Sequence, residues 1–191
     1  MSRSALAIET PQVIYARLMA ARRGDPIEET LARMLASWSV GLGSMPDWLG
    51  LREADYQWMM HYHFPGHAST QLVNPGRPLE IERSDEMVNV HKLLMENRTS
   101  GSQSETWMAG ILVAGCLGDD HLWQDLGLWN RVELSHLMLE NFKPLAMRNV
   151  KDMKWKKFLY KQLCETEGIY TCRAPSCEAC ADYSNCFGSE E

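Results

Sequence analysis

Apolar residues return every three or four positions along most of the chain, and no stretch of strict alternation marks a strand. The elements this predicts are helices with ordinary start and stop signals. Thr10-Pro11 opens "PQVIYARLMAARRG", and Asp25-Pro26 opens "PIEETLARMLASWSVG", which Gly41 can close. "READYQWMMHYHF" is a third helix, stopped at Pro65-Gly66. "HASTQLVNPGRPLEIERS" carries turn dipeptides and no period, so it is a long connection. Ser84 is placed to cap "DEMVNVHKLLMENR", and Ser104 to cap "ETWMAGILVAGCLG". The second of these is apolar nearly all round, the mark of a central buried helix. Asn130 and Glu133 form a capping-box-like start for "RVELSHLMLENF", which breaks before Pro144. The last helix is "DMKWKKFLYKQLCETE", with Gly168 as its C-cap. The expected class is all-α, a helical bundle over residues 1–168. Residues 169–191 form a C-terminal cysteine-rich loop of the same domain.

The pattern also echoes itself. "ARMLASWSVGLGSMPDWLGL" (32–51) resembles "AGILVAGCLGDDHLWQDLGL" (109–128) at an offset of 77. Leu49-Gly50-Leu51 then matches Leu126-Gly127-Leu128. Each copy is followed by a helix ending in an aromatic residue and a proline, and the second copy needs one extra residue. Two related units suit a pseudo-duplicated bundle; small amphipathic helices also resemble one another by chance.

Composition narrows the picture. A chain of 191 residues can bury roughly 70% of its unfolded surface, so it needs no disulfides to fold. A net charge of −6 argues against nucleic acid as a partner. The longest apolar run, "MAGILVAGCLG", is too short to span a bilayer. "MSRSALAIET" lacks a secretory apolar core followed by a cleavage site. The expectation is a cytoplasmic protein with no membrane partner.

In that compartment clustered cysteines bind metal more often than they form disulfides. Four of the six cysteines fall within "CRAPSCEACADYSNCFG": Cys172, Cys177, Cys180 and Cys186, spaced C-x4-C-x2-C-x5-C. Four thiolates satisfy tetrahedral zinc, with Zn–S of about 2.3 Å. Zinc usually draws two ligand pairs from separated turns, often about ten or more residues apart. Here all four ligands lie in one short wrap, which suits an iron–sulfur cluster whose metals each take one thiolate. The spacing favours the cluster and leaves zinc open. Cys164 is either an additional ligand or a buried thiol, and Cys116 belongs to the core. His61, His63 and His67 crowd together in "HYHFPGH" and offer harder ligands, although His61 and His63 would face apart on a helix.

Residues 143–161 carry Lys143, Arg148, Lys151, Lys154, Lys156, Lys157 and Lys161 against Asp152 alone, a net +6. Such a field attracts oxyanions or offsets a thiolate-ligated cluster; a solvated helix face explains it equally. Glycine-rich phosphate loops and Ser–His–Asp or zincin motifs are missing, which disfavours a nucleotide-driven enzyme or a hydrolase.

The cysteine stretch, preceded by "MKWKKFLYKQLCETEG" and "HLWQDLGL", resembles the nitrogen-fixation family NifQ over about residues 105–188, with "HFPG" (63–66) as a weaker match before it. The resemblance implies that Cys172, Cys177, Cys180 and Cys186 hold an iron–sulfur cluster, either a molybdenum–iron–sulfur cluster of the Mo–3Fe–4S type or a plain 4Fe–4S cluster. It implies a donor of molybdenum for the iron–molybdenum cofactor of nitrogenase rather than an enzyme. Molybdate would be its source, and nitrogenase cofactor-assembly proteins its acceptors. A helical interaction module with a structural zinc held by the four cysteines, and a simple 4Fe–4S electron carrier, are the alternatives.

Overall fold

The computed structural model describes residues 9–67, 72–79, 84–167, 183–188 and 190, without the side chains of 84–86, 166 and 167. Every regular element among them is helical: α1 (Pro11–Ala20), α2 (Ile27–Ser39), α3 (Glu53–His63), α4 (Ser84–Glu96), α5 (Gln103–Cys116), α6 (Leu122–Asp125), α7 (Arg131–Asn141), α8 (Lys143–Ala146), α9 (Trp155–Glu167) and α10 (Tyr183–Phe187). Asp47–Gly50 is a separate tight turn. The apolar helix α5 is central, with Trp107, Met108, Ile111 and Leu112 all buried.

The echo in the sequence is a duplication in three dimensions. Helices α1, α2 and α3 correspond to α4, α5 and α7. In α3 the buried positions are Tyr56, Met59, Met60 and His63; in α7 they are Leu134, Leu137, Met138 and Asn141, each 78 residues later. Both helices end on a fully buried phenylalanine. The N–H of Phe64 donates to the Met60 carbonyl at 2.8 Å, and that of Phe142 to the Met138 carbonyl at 2.9 Å. The connection between the two preceding helices ties to the residue before each: Arg23 N–H to His63 O at 3.1 Å, Thr99 N–H to Asn141 O at 2.9 Å.

The central helices also begin alike. The buried carboxylate of Glu28 accepts from the backbone N–H groups of Gly24 (2.7 Å) and Asp25 (3.0 Å). Glu105, 77 residues later, accepts from Ser100 (2.9 Å) and Ser102 (3.0 Å). A buried carboxylate is tolerable there because the turn leading into each helix supplies the donors and the helix start a favourable dipole. This box overturns the expected cap at Ser104. Ser102 caps α5, accepting from the Glu105 N–H at 3.2 Å, because only Ser102 has a glutamate three residues on to complete the exchange.

The two halves meet reciprocally. A Cβ on Gly50 would overlap that of Ala114, and one on Gly127 would lie 2.8 Å from Ser37 Cβ. The offset of 77 relates Gly50 to Gly127 and Ser37 to Ala114, so one contact is made twice, as a pseudo-twofold axis requires. Both glycines sit at positive φ, 78° and 71°. The inserted residue of the second copy is Trp129, between Leu128 and the N-cap Asn130. Its indole N–H reaches Ser37 Oγ at 3.3 Å, and its ring tilts onto Tyr15 at 5.2 Å.

Helix α9 starts at Trp155, later than the expected Asp152. Asp152 takes a left-handed φ of 53° and turns the chain, so the helix cannot run through it.

Gly76 provides the control for these contacts, since it has φ 72° and nothing within 4 Å of its would-be Cβ. Gly76→Ala is expected to cost only the backbone term, about 1–2 kcal/mol. Gly50→Ala and Gly127→Ala add overpacking of about 1–3 kcal/mol each. Urea unfolding of the three variants checks this order; equal losses would remove the glycines as the constraint between the halves.

Candidate metal centre

Three of the expected ligands, Cys172, Cys177 and Cys180, lie outside the described residues, as does Gly168. Cys186 is described and half-buried, on the short helix α10, which the sequence pattern does not announce. Tyr183 stacks on Phe187 one turn later, with centroids 4.5 Å apart, and Gly188 N–H closes on Ser184 O at 2.9 Å. Outside contacts return this turn to the start of α9. The Lys154 N–H donates to Cys186 O at 2.8 Å, and its Nζ reaches Ser184 O at 3.3 Å. Phe187 packs on the core.

Glu190, 9% exposed, is fastened as well. Its carboxylate lies 3.2 Å from Arg131 Nε and 3.8 Å from His121 Nδ1. Arg131 grips Asp152 with both Nη atoms, at 2.6 and 2.7 Å. The hydrogen bond to Asp152 is the main cause that raises the Arg131 pKa, against its burial. One guanidinium therefore holds both the turn into α9 and the returning chain. Phe187 and Glu190 thus give this turn an apolar anchor and a charged one.

The basic segment is not one charged helix. Lys156 is tied to the buried Asp125 and to the Gly118 carbonyl (2.6 Å), and Asp125 also accepts from Ser44 Oγ at 2.7 Å. Lys161 pairs with Glu165 at 3.6 Å, and Arg148 donates to Asn97 Oδ1 at 3.0 Å. A shallow cleft of about 330 Å³ gathers Arg148, Lys151 and Lys161 over Met153 and Phe158, with Glu165 at its edge and Phe187 as one wall. Phe187 follows Cys186, so the cationic cleft adjoins the cysteine.

The histidines separate. His61 is exposed, whereas His63 is buried with both ring nitrogens engaged: Nδ1 with Glu28 at 3.3 Å and Nε2 with Ser104 Oγ at 3.1 Å. Burial lowers the His63 pKa. The neutral ring thus donates from Nδ1 to Glu28 and accepts the Ser104 hydroxyl proton at Nε2. His67 accepts from Arg17 Nε at 3.2 Å. Sequence spacing gave no sign of the Ser104 contact, which joins residues 41 apart. Among the described residues, no three His, Cys, Asp or Glu side chains converge on a metal position. Cys116 is buried in the core as expected, and Cys164 is half-buried on α9.

The NifQ family model matches residues 30–188, a span that includes all four clustered cysteines. The chain belongs to the NifQ family. Protein NifQ of Azotobacter vinelandii is 43% identical over 191 aligned positions, covering 90% of this chain and 97% of its own length. Protein NifQ of Klebsiella pneumoniae is 32% identical, covering 85% and 99%. A NifQ homolog of Sinorhizobium fredii is 34% identical, covering 84% and 70%. No solved structure matches at a significant level. Membership implies a role in nitrogen fixation.

Two outcomes are expected from this geometry. The His63 pKa falls below its ordinary value of 6.5, so the unfolded chain binds a proton that the folded chain refuses. Its stability contribution is complete above about pH 6.5 and is lost as the pH falls from there through the lowered pKa of the folded chain, by at most about 1.4 kcal/mol per pH unit. Urea unfolding at pH 7.5 and 5.5 should therefore show a larger loss in wild type than in His63→Gln; equal losses would rule the ring out as the cause. Arg131→Gln should speed amide exchange in residues 183–190 while α2 and α5 keep their protection, and unchanged exchange there would contradict the anchor.

Proposed function

We propose that this chain carries molybdenum with iron and sulfur and delivers it to the nitrogenase cofactor-assembly proteins, as a donor rather than an enzyme with turnover. The observation that carries the reading is the family match, which runs through the whole C-x4-C-x2-C-x5-C stretch. Cys172, Cys177, Cys180 and Cys186 would hold the cargo. Four soft thiolates fit iron and disfavour harder oxygen-seeking cations. Cys186 is the one ligand with described surroundings. Its backbone is fixed by Lys154, so the last thiolate of the set is presented from a packed turn.

Molybdate is an oxyanion, and the adjoining cleft offers Arg148, Lys151 and Lys161. Cations in a partly enclosed cleft raise the local concentration of an anion more than the same charges on an open face. Lys156 has a different task, since it neutralises the buried Asp125 and ties α9 to α6. No helix among the described residues is long and apolar enough to cross a membrane, which accords with a cytoplasmic donor.

Anaerobic purification followed by metal analysis tests the reading. Iron and molybdenum are expected together after growth with molybdate. Each single Cys→Ser change at the four positions should remove most of the iron while the helical circular dichroism persists. Zinc as the sole metal would return the loop to a structural role, and iron that never acquires molybdenum would make the chain an electron carrier. Lys151→Gln with Lys161→Gln should lower molybdenum relative to iron, with the difference from wild type fading as salt rises. Equal loading at low salt would deny the cleft this role.

A further inference from the structure

The basic cleft shares the ridge of Asn149 and Val150 with a second concavity, an apolar groove of about 360 Å³. Leu139 of α7, Met147 after α8, Val150 and Trp155 give it its apolar lining, and Asp152, held by Arg131, is its one carboxylate. Leu139 is 44%, Met147 60% and Val150 84% exposed; Val132, on the same stripe of α7, is 68% exposed. The fold does not demand these side chains. The duplicated helix α3 has the same inward positions, yet Ala54, Gln57 and His61 stand where α7 has Val132, Ser135 and Leu139. Helix α3 exposes one large apolar side chain elsewhere, Trp58, whereas Leu139, Met147 and Val150 gather three on one patch, the kind of surface that meets a partner.

We propose that groove and cleft form one docking surface for the protein that receives the metal. Its occupant is an acidic, amphipathic segment: aliphatic or aromatic side chains enter the groove over Trp155, and carboxylates meet Arg148, Lys151 and Lys161. The inference rests on the donor role proposed above. Three observations select this occupant. The cleft carries Arg148, Lys151 and Lys161 against Glu165 alone, a net positive charge that favours an acidic partner. The groove is concave, with Trp155 buried to 4% exposure, so it accepts an inserted side chain. A second copy docking by the same face would set cations against cations. Phe187 walls the cleft and Cys186 precedes it, so a partner seated here lies beside the cargo.

The test uses the full chain, loaded and metal-free, with a purified nitrogenase cofactor-assembly scaffold protein as the probe. Binding is followed by calorimetry, and molybdenum transfer by metal analysis. Met147→Gln with Val150→Gln, both exposed, should leave the melting temperature and the iron content unchanged while weakening binding at least about tenfold. Lys151→Glu should weaken binding most at low salt. Val88→Gln, an equally exposed apolar position on α4, should change nothing. Wild-type binding by the double variant, or no binding by wild type, overturns the proposal. So does binding of anionic vesicles, or self-association, that the same double substitution abolishes. Failure of the donor role reads differently, as a wild-type chain without iron and molybdenum, and the metal-free binding arm still reports on the surface.

Discussion

Gly50 against Ala114 and Gly127 against Ser37 set how closely the two halves of the molecule approach. Each half ends its central segment in a Leu-Gly-Leu turn and presses the glycine onto the central helix of the other half. A side chain at either glycine would hold the turn off, and the positive φ there already excludes most residues. Close approach lets α2 and α5 bury nearly all their faces, the side chains of Glu28 and Glu105 included. A buried carboxylate needs donors, and in each half the backbone of the turn ahead of the central helix supplies them.

Departures from the symmetry carry the individuality of the protein. His63 and Asn141 are equivalent, yet Asn141 satisfies itself on its own helix through Leu137 O at 2.9 Å, whereas His63 reaches Glu28 and, across the axis, Ser104. The counterpart of Ser104 is Ile27, so this polar link joins the halves on one side only. Trp129 inserts on the other side and meets Ser37 and Tyr15. Among the described residues, helices α8, α9 and α10 have no counterpart in the first half. The cysteine stretch, the cationic cleft and the apolar groove all belong to that addition or to its contact with α7.

The donor role proposed above would need ligands that are held and yet accessible. Arg131 and Lys154 meet the first need at one end of the cysteine stretch by fixing Asp152, Glu190 and the Cys186 backbone. The half-buried position of Cys186, beside an open cleft, suits the second. The duplicated body carries none of the four clustered cysteines, so loading and release under that proposal need not disturb the core.

Local chemistry made much of this legible in the sequence. The 3.6-residue period, Pro11, Gly41 and the Asn130–Glu133 pair determined helices, because capping and amphipathicity act within one or two turns. The C-x4-C-x2-C-x5-C spacing made four soft candidate ligands legible, since it is a local pattern within fifteen residues. Even the duplication was visible, as an offset of 77. What only the tertiary structure decided involves residues far apart in sequence. Examples are the reciprocal glycine contacts, the Glu28–His63–Ser104 link, the neutralisation of Asp125 by Lys156 and the return of Cys186 to Lys154. A charge run reads the same in sequence whether its lysines face water or a buried carboxylate. Burial and partner distance set that difference, and only the packed chain fixes both.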